Sequence, residues 1–412
     1  MPRVVITGLG MISALGRNVS ENWAALSEGR SGIALIESVD ASSLKFKNGA
    51  EIRGFHPEEH SLKPDYLDRF AQFAAVAARE AVQSAGLTFT PELGARSAVI
   101  TGSCVGGQNT QDTGFVELYG KKNPRVNPMT IPRTMANAGA SAISTEFGIR
   151  GPVYTISTAC SSSNHAMGQA FWLVRSGAVE VAITGGSEAP FSYGSLKAWE
   201  AMRVVSPETC RPFSRDRKGL ILGEGAGMLV LESLERAQAR GAEILGEIVG
   251  FGMSSDAGHI TKPSAEGAAM AMEAAMRDAQ MSPMEIGYIN AHGTGTTLND
   301  ATETQAIKLA LGLQAKNVAV SSTKSMHGHA LGGAGALEAV ATVMALKNGV
   351  LPPTANYNER DPECDLDVIA NCARQQQVEY AMSNSFAFGG LNAVVVFRKF
   401  YQSGWKLAPF ID

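Results

Sequence analysis

Two stretches of this 412-residue chain obey one grammar, and no other feature narrows the choice of fold as much. Residues 153–177 read VYTISTACSSSNHAMGQAFWLVRSG, and residues 318–349 read VAVSSTKSMHGHALGGAGALEAVATVMALKNG. Each opens as a short β-branched strand, passes a Ser-Thr step, presents one reactive side chain (Cys160 or Lys324) and continues as an apolar helix that stops at glycine. In the first, Ala166, Met167, Ala170, Phe171, Trp172, Leu173 and Val174 leave the helix almost no polar face, so it must cross an interior. Two such units predict an internal duplication: an α/β fold of two βαβ-type halves packed into one layered body.

The remaining periodicities fit that plan. Residues 4–7 read as a buried strand, Ser20 as the cap of a short helix ending at Gly29, and residues 65–86 as a helix with Phe70, Phe73, Ala77, Ala81 and Val82 on one face. A strand over 98–101, a helix over 134–147 and a strand over 179–184 turned at Gly185-Gly186 complete the first half. The second half repeats the alternation: strands around 228–232 and 244–249, helix 265–280, strand 286–290, helix 300–311, strand 318–322 and helix 334–347. We divide the chain into an N-terminal half, 1–250, carrying Cys160, and a C-terminal half, 251–412, carrying His292 and His329. Residues 31–62 read as a surface excursion, and 103–133, with little periodicity, as a long loop of the kind that is functional or interfacial. The tail 401–412 has no usable pattern.

Composition excludes several classes of function. Only 18% of residues are charged and 45% are hydrophobic, which describes a well-buried globule, and a net charge of −4 without basic runs argues against nucleic-acid binding. Five cysteines without CxxC spacing disfavour a disulfide framework and a zinc knuckle, and fit a reducing, cytoplasmic setting. No apolar run is long enough to span a membrane and no signal peptide is evident. Gly8-Leu9-Gly10 suggests a dinucleotide fingerprint, but Ser13 stands where its third glycine belongs.

Three strand ends carry chemistry. Cys160 sits where a strand meets a helix N-terminus, and a helix dipole there lowers a thiol pKa by roughly one unit, enough to give a useful thiolate near neutrality. The alternative is a buried packing cysteine. Asn290-Ala291-His292-Gly293-Thr294-Gly295-Thr296 places a histidine among small residues and hydroxyls, and Ser322-Thr323-Lys324-Ser325-Met326-His327-Gly328-His329 adds a lysine and two more histidines. A metal held by His292, His327 and His329 is an alternative reading, without the ligand spacing of a known site. Asn384-Ser385-Phe386-Ala387-Phe388-Gly389-Gly390 ends a third strand, its glycines letting backbone N–H groups approach a ligand. One cysteine and two histidines suit acyl chemistry on a thiol.

These motifs, with GALE at Glu338 and in this order, resemble the β-ketoacyl-acyl-carrier-protein synthases of the thiolase superfamily, type II condensing enzymes above all, over roughly residues 3–399. The rhizobial nodulation condensing enzymes are similar at the same positions. The resemblance implies a five-layered α-β-α-β-α thiolase-like fold and a decarboxylative condensation of an acyl group on Cys160 with malonyl-acyl-carrier protein. It implies that His292 and His329 donate to the thioester oxygen, and that the N–H groups of Cys160 and Phe388 form an oxyanion hole. Lys324 and Glu338 would be a charged pair behind the histidines, and Phe388 a gate. Thr294 and Thr296 would hold the pantetheine arm, and Val105, Thr130 and Thr134 would line the acyl pocket. No cofactor beyond carrier-bound phosphopantetheine is expected, and the partners are acyl carrier protein and a second copy of the chain, or a related condensing-enzyme subunit in a heterodimer.

Several positions depart from the family's pattern. Ala387 and Leu391 replace Gly and Thr in the gating loop, Val105 stands for isoleucine and Thr130 for phenylalanine, so a preference for long or unusual acyl chains is expected. Asp65 and Tyr66 replace basic docking residues while Arg125 and Arg203 remain, and Lys218 and Leu220 replace Asp and Phe. Other readings are a subunit of a heterodimeric polyketide or polyene complex, catalytic or setting chain length, and a coenzyme A thiolase. A non-catalytic subunit lacks the nucleophile that Cys160 supplies, and a thiolase pairs its nucleophile with a second cysteine where this chain offers Phe388.

Overall fold

A computed structural model of the protein describes residues 2–401; the tail beyond Tyr401 lies outside the described residues. Eleven strands form the main sheet system: β1 (Val4–Ser13), β2 (Ser97–Gly102), β3 (Val153–Ile156), β4 (Val181–Glu188), β5 (Gly225–Ser233), β6 (Gly246–Ser255), β7 (Ile286–Asn290), β8 (Ala319–Ser321), β9 (Asp367–Val368), β10 (Tyr380–Ala387) and β11 (Leu391–Arg398). In the first half the spatial order is β3-β2-β4-β5-β1, with β3, β2 and β4 parallel and β5 and β1 antiparallel. The second half runs β8-β7-β10-β11-β6 with the same senses at the same places, and β9 is added outside β8. One topology is thus built twice. The halves meet where Val4–Ile6 of β1 pair with Gly246–Ile248 of β6. A division at 250/251 falls inside β6, whose eight-residue pairing with β11 assigns the strand to the second half.

Six helices make the other layers: α1 (Arg69–Ser84), α2 (Ala138–Phe147), α3 (Ser162–Arg175), α4 (Ala265–Asp278), α5 (Thr297–Leu311) and α6 (Ala334–Asn348). Helices α1 and α2 cover the outer face of the first sheet and α4 and α5 that of the second, while α3 and α6 lie between the sheets. The burial of the helices fits these layers: α6 buries twelve of its fifteen residues, while α1 buries Phe70, Phe73, Ala77, Ala81 and Val82 and leaves Gln83 and Ser84 exposed at its end.

Some local expectations change. Gly185 and Gly186 do not turn the chain but lie within β4, because α3 and β5 press so close that a Cβ would come within 2.2 Å of Ser163 Oγ at Gly186 and 2.0 Å of the Gly227 carbonyl at Gly185. Gly8 and Gly10 serve the same purpose in β1, where a Cβ would strike carbonyls of α1 at 2.0 and 1.8 Å. Asn18 rather than Ser20 caps the first short helix, and α1 starts at Arg69 behind the cap Asp68. The 31–62 excursion is anchored inward by Leu44, Phe46, Ala50, Ile52 and Phe55, all buried. Within 103–133 the chain forms a helix over Gln108–Phe115 and begins another at Thr130–Thr134.

Candidate active site

The turn from β3 into α3 presents the thiol. Ala159 adopts φ +51°, a left-handed conformation that costs a non-glycine residue on the order of 1–3 kcal/mol, and the sharp corner it makes leaves Cys160 just ahead of the first turn of α3. Ser161 stands at the N-cap without a side-chain capping bond; its hydroxyl instead donates to the Thr158 carbonyl at 2.8 Å, bracing the corner.

Strand ends of the second half meet this corner from the other side. Cys160, His292 and His329 line one cavity of about 130 Å³, together with Thr294, Thr296 and Phe388. The two imidazoles face each other edge to face, centroids 5.4 Å apart and planes at 85°. Each is buried, and burial together with the nearby Lys324 ammonium holds both well below the usual histidine range, so both are neutral at physiological pH. Among the described residues, Nδ1 of each ring is buried without a hydrogen-bond partner. Thr294 and Thr296 share a hydroxyl–hydroxyl bond of 2.9 Å on the wall of the cavity, and Thr296 also caps α5.

Lys324 and Glu338 form an ion pair with no exposed side-chain surface. Burial pushes the Glu338 carboxyl up to about 7 against the pull of Lys324. His327 does not join the other two rings: Nδ1 is bonded to the Gly328 carbonyl at 2.8 Å and Nε2 to Thr323 Oγ1 at 3.0 Å, and burial lowers it to about 3. With both nitrogens committed to protein groups, it braces the loop. Among the described residues no group of three or more His, Cys, Asp or Glu is arranged to hold a metal ion.

The thiol itself departs from the helix-dipole expectation. Burial pushes Cys160 up to about 12, with Lys324 pulling the other way and Glu188 adding to the rise. Desolvation of the anion outweighs the dipole, and the resting group is a thiol.

The acyl-pocket candidates are not brought to this cavity within one chain. Val105 is 38% exposed, Thr130 lines a separate polar cleft with Asp68 and Arg133, and Thr134 donates to the Ile131 carbonyl on the same exposed segment. Leu220 does line the cavity, while Lys218 points outward to Glu208.

Sequence reasoning missed two buried carboxylates. Glu303 on α5 accepts from the His292 N–H at 2.8 Å and the Gly293 N–H at 2.7 Å, fixing the histidine strand end. Glu188 at the end of β4 accepts from Cys104 N–H at 2.6 Å, Gly332 N–H at 3.0 Å and Ser103 Oγ at 3.0 Å, tying the loop after β2 to the start of α6. Burial raises both to about 7. The one available signal was periodic: Asp300 and Glu303 fall on the same face of α5 as Ile307 and Leu311, where an amphipathic helix should be apolar.

Comparison with known proteins agrees with this geometry. Residues 1–237 match the β-ketoacyl synthase N-terminal domain and residues 245–358 its C-terminal domain. The chain is 47% identical over 400 residues to nodulation protein E of Rhizobium sp. (strain N33), covering 96% of this chain and 99% of that one. It is 42% identical over 407 residues to 3-oxoacyl-[acyl-carrier-protein] synthase 2 of Staphylococcus aureus (strain COL), covering 97% and 98%. Among solved structures, the ishigamide ketosynthase/chain length factor superposes with a TM-score of 0.92 at 38% identity, covering 97% of this chain and 100% of that one. A β-ketoacyl synthase from Burkholderia phymatum gives 0.90 at 36%, again over 97% and 100%. A duplicated five-layered fold, a cysteine at a strained strand-to-helix corner and two neutral histidines opposite it therefore carry one conclusion: this chain belongs to the β-ketoacyl synthase family and is a condensing enzyme of the thiolase-like fold.

Proposed function

We propose that the chain is a 3-oxoacyl-[acyl-carrier-protein] synthase that extends an acyl chain by two carbons. The observation that carries this reading is the convergence of Cys160, His292 and His329 on one cavity with both imidazoles held neutral. The Cys160 sulfur attacks the thioester carbonyl of an acyl-carrier protein; its proton leaves with the departing phosphopantetheine sulfur. Malonyl-carrier protein then enters, its C–C bond breaks, carbon dioxide leaves, and the electron pair settles on the thioester oxygen as an enolate. A neutral imidazole has one N–H to give. Because a bare buried lone pair is tolerated better than an orphaned N–H, the unpartnered Nδ1 atoms leave Nε2 of His292 and His329 as the donors to that oxygen. The enolate carbon attacks the acyl-Cys160 carbonyl, the N–H groups of Cys160 and Phe388 receive the oxyanion, and its collapse breaks the C–S bond and expels the Cys160 thiolate, which takes a proton from water to return the thiol. Lys324 stabilises negative charge on Cys160, and Glu338 keeps that ammonium in place. These steps draw on no resident cofactor.

The enzyme acts as a dimer with acyl carrier protein in the cytoplasm. The edge of the first sheet supports the dimer: among the described residues β3 has one strand neighbour, Tyr154 on it is exposed, and Phe115, Tyr119 and Ile131 on the nearby 103–133 segment are exposed large apolar side chains. Covering that face is also what would complete a pocket from Val105, Thr130 and Thr134. A solved neighbour described as a type II PKS acyl-carrier protein in complex with its ketosynthase gives the carrier partner a precedent. Among the described residues no helix is long and apolar enough to cross a membrane. The smaller side chains at 105 and 130 favour a long or unusual acyl chain over a housekeeping mixture.

The test is mass spectrometry of the acyl group on Cys160 together with carbon dioxide release from malonyl-carrier protein. Cys160→Gln is expected to abolish condensation and retain decarboxylation. Activity on acetyl-coenzyme A alone, or condensation surviving in that variant, would overturn the reading.

A further inference from the structure

Phe388 rests against a second ring. Its centroid lies 6.3 Å from that of Trp199, with the planes at 27°, and both side chains line the cavity that holds Cys160. The two partners differ in how they are held. Trp199 sits on a helix over Tyr193–Met202 and packs into an apolar cluster with Leu196, Val204 and Leu220. Phe388 sits at the tip of the β10–β11 hairpin, followed by Gly389 and Gly390 at φ +88° and +71°. That tip is tied to the 256–264 loop by three bonds, from Gly389 N–H to the Ile260 carbonyl at 2.7 Å, from Asp256 N–H to the Gly390 carbonyl at 2.9 Å and from Asn392 Nδ2 to Asp256 Oδ1 at 2.7 Å. One ring is embedded in an apolar cluster, and the other is carried on a short hairpin tip beside two glycines.

We propose that Trp199 is the stop against which Phe388 closes, and is thereby a positioning residue that sets how readily an acyl thioester reaches Cys160. Leu220 belongs to the same device. It shares the wall and the apolar cluster with Trp199, and its aliphatic side chain leaves the indole as the aromatic surface facing Phe388. The inference rests on the acyl-transfer reading above. A stacked aromatic pair shifts an equilibrium by roughly two- to ten-fold, so the contact holds the gate closed without locking it.

The experiment is single-turnover acylation of the full chain by hexanoyl-N-acetylcysteamine, followed by intact mass. Cys160 Sγ bonds to the hexanoyl carbon, the C–S bond to N-acetylcysteamine breaks, and that sulfur leaves with the thiol proton. Trp199→Ala is expected to acylate about two- to ten-fold faster, Trp199→Phe to stay within about two-fold of the parent, and Trp199→Ala with Phe388→Ala to be no faster than Phe388→Ala alone. The emission of Trp199, one of four tryptophans, is isolated by subtracting the Trp199→Phe spectrum and should shift on acylation. Additive rate effects, or an indole signal indifferent to acylation, overturn this inference while leaving the function intact. Absence of acyl-Cys160 in the parent protein overturns the function itself.

Discussion

The ionisation of Cys160 separates two physical accounts by orders of magnitude. If the dipole of α3 acted on an otherwise ordinary thiol, the pKa would fall from about 8.5 to about 7.5, and roughly half the protein would be thiolate at pH 7.5. Burial instead pushes the group up to about 12. At that value the thiolate fraction at pH 7.5 is on the order of 10⁻⁴ or below. A less acidic thiolate is the better nucleophile, so part of that deficit is recovered in rate and the shape of the profile decides. We expect the logarithm of the iodoacetamide inactivation rate, with alkylation of Cys160 verified by mass spectrometry, to rise by about one per pH unit from pH 6 to 9.5 without a plateau. Lys324→Met removes a cation that pulls the value down, so its line should lie below the parent's throughout. A plateau with a midpoint under pH 8.5 in the parent would show that the dipole, not desolvation, governs this thiol.

Three further expectations follow from the same geometry. Lys324→Ala leaves Glu338 buried and unpaired, which should cost about 3–5 kcal/mol of stability in urea denaturation, whereas Lys324→Met with Glu338→Leu should recover most of it; equal loss in both would refute the ion-pair account. His292→Ala and His329→Ala should each lower carbon dioxide release from malonyl-carrier protein by about 10²–10³ while acylation of Cys160 persists, and parallel loss of both steps would mean the rings act on the thiol instead. Val105→Ile with Thr130→Phe should move the chain-length optimum toward shorter acyl groups, and a parent enzyme already fastest on short saturated chains would remove the premise.

What could be read in the sequence was local. Cys160, His292, His329 and Lys324 announce themselves because each ends a strand and stands among small residues, a pattern set within about ten positions. Glu303 and Glu188 could not be read that way, since their roles consist of bonds to the backbones of His292 and Cys104 that exist only after folding. Gly185-Gly186 was misread for a similar reason: glycine pairs usually turn a chain, but here they admit α3 and β5 at van der Waals contact. His327 looked like a partner of His329 two residues away, and only its two satisfied nitrogens remove it from the chemistry.

The sequence by itself determined the duplicated strand–helix grammar and the kinds of reactive groups, because periodicity and strand-end placement are encoded in adjacent residues. The tertiary structure decided the protonation states. A thiol kept protonated, two imidazoles kept neutral and a lysine paired with a glutamate all follow from how much water is excluded and which charge lies near, and both depend on residues far apart in the chain.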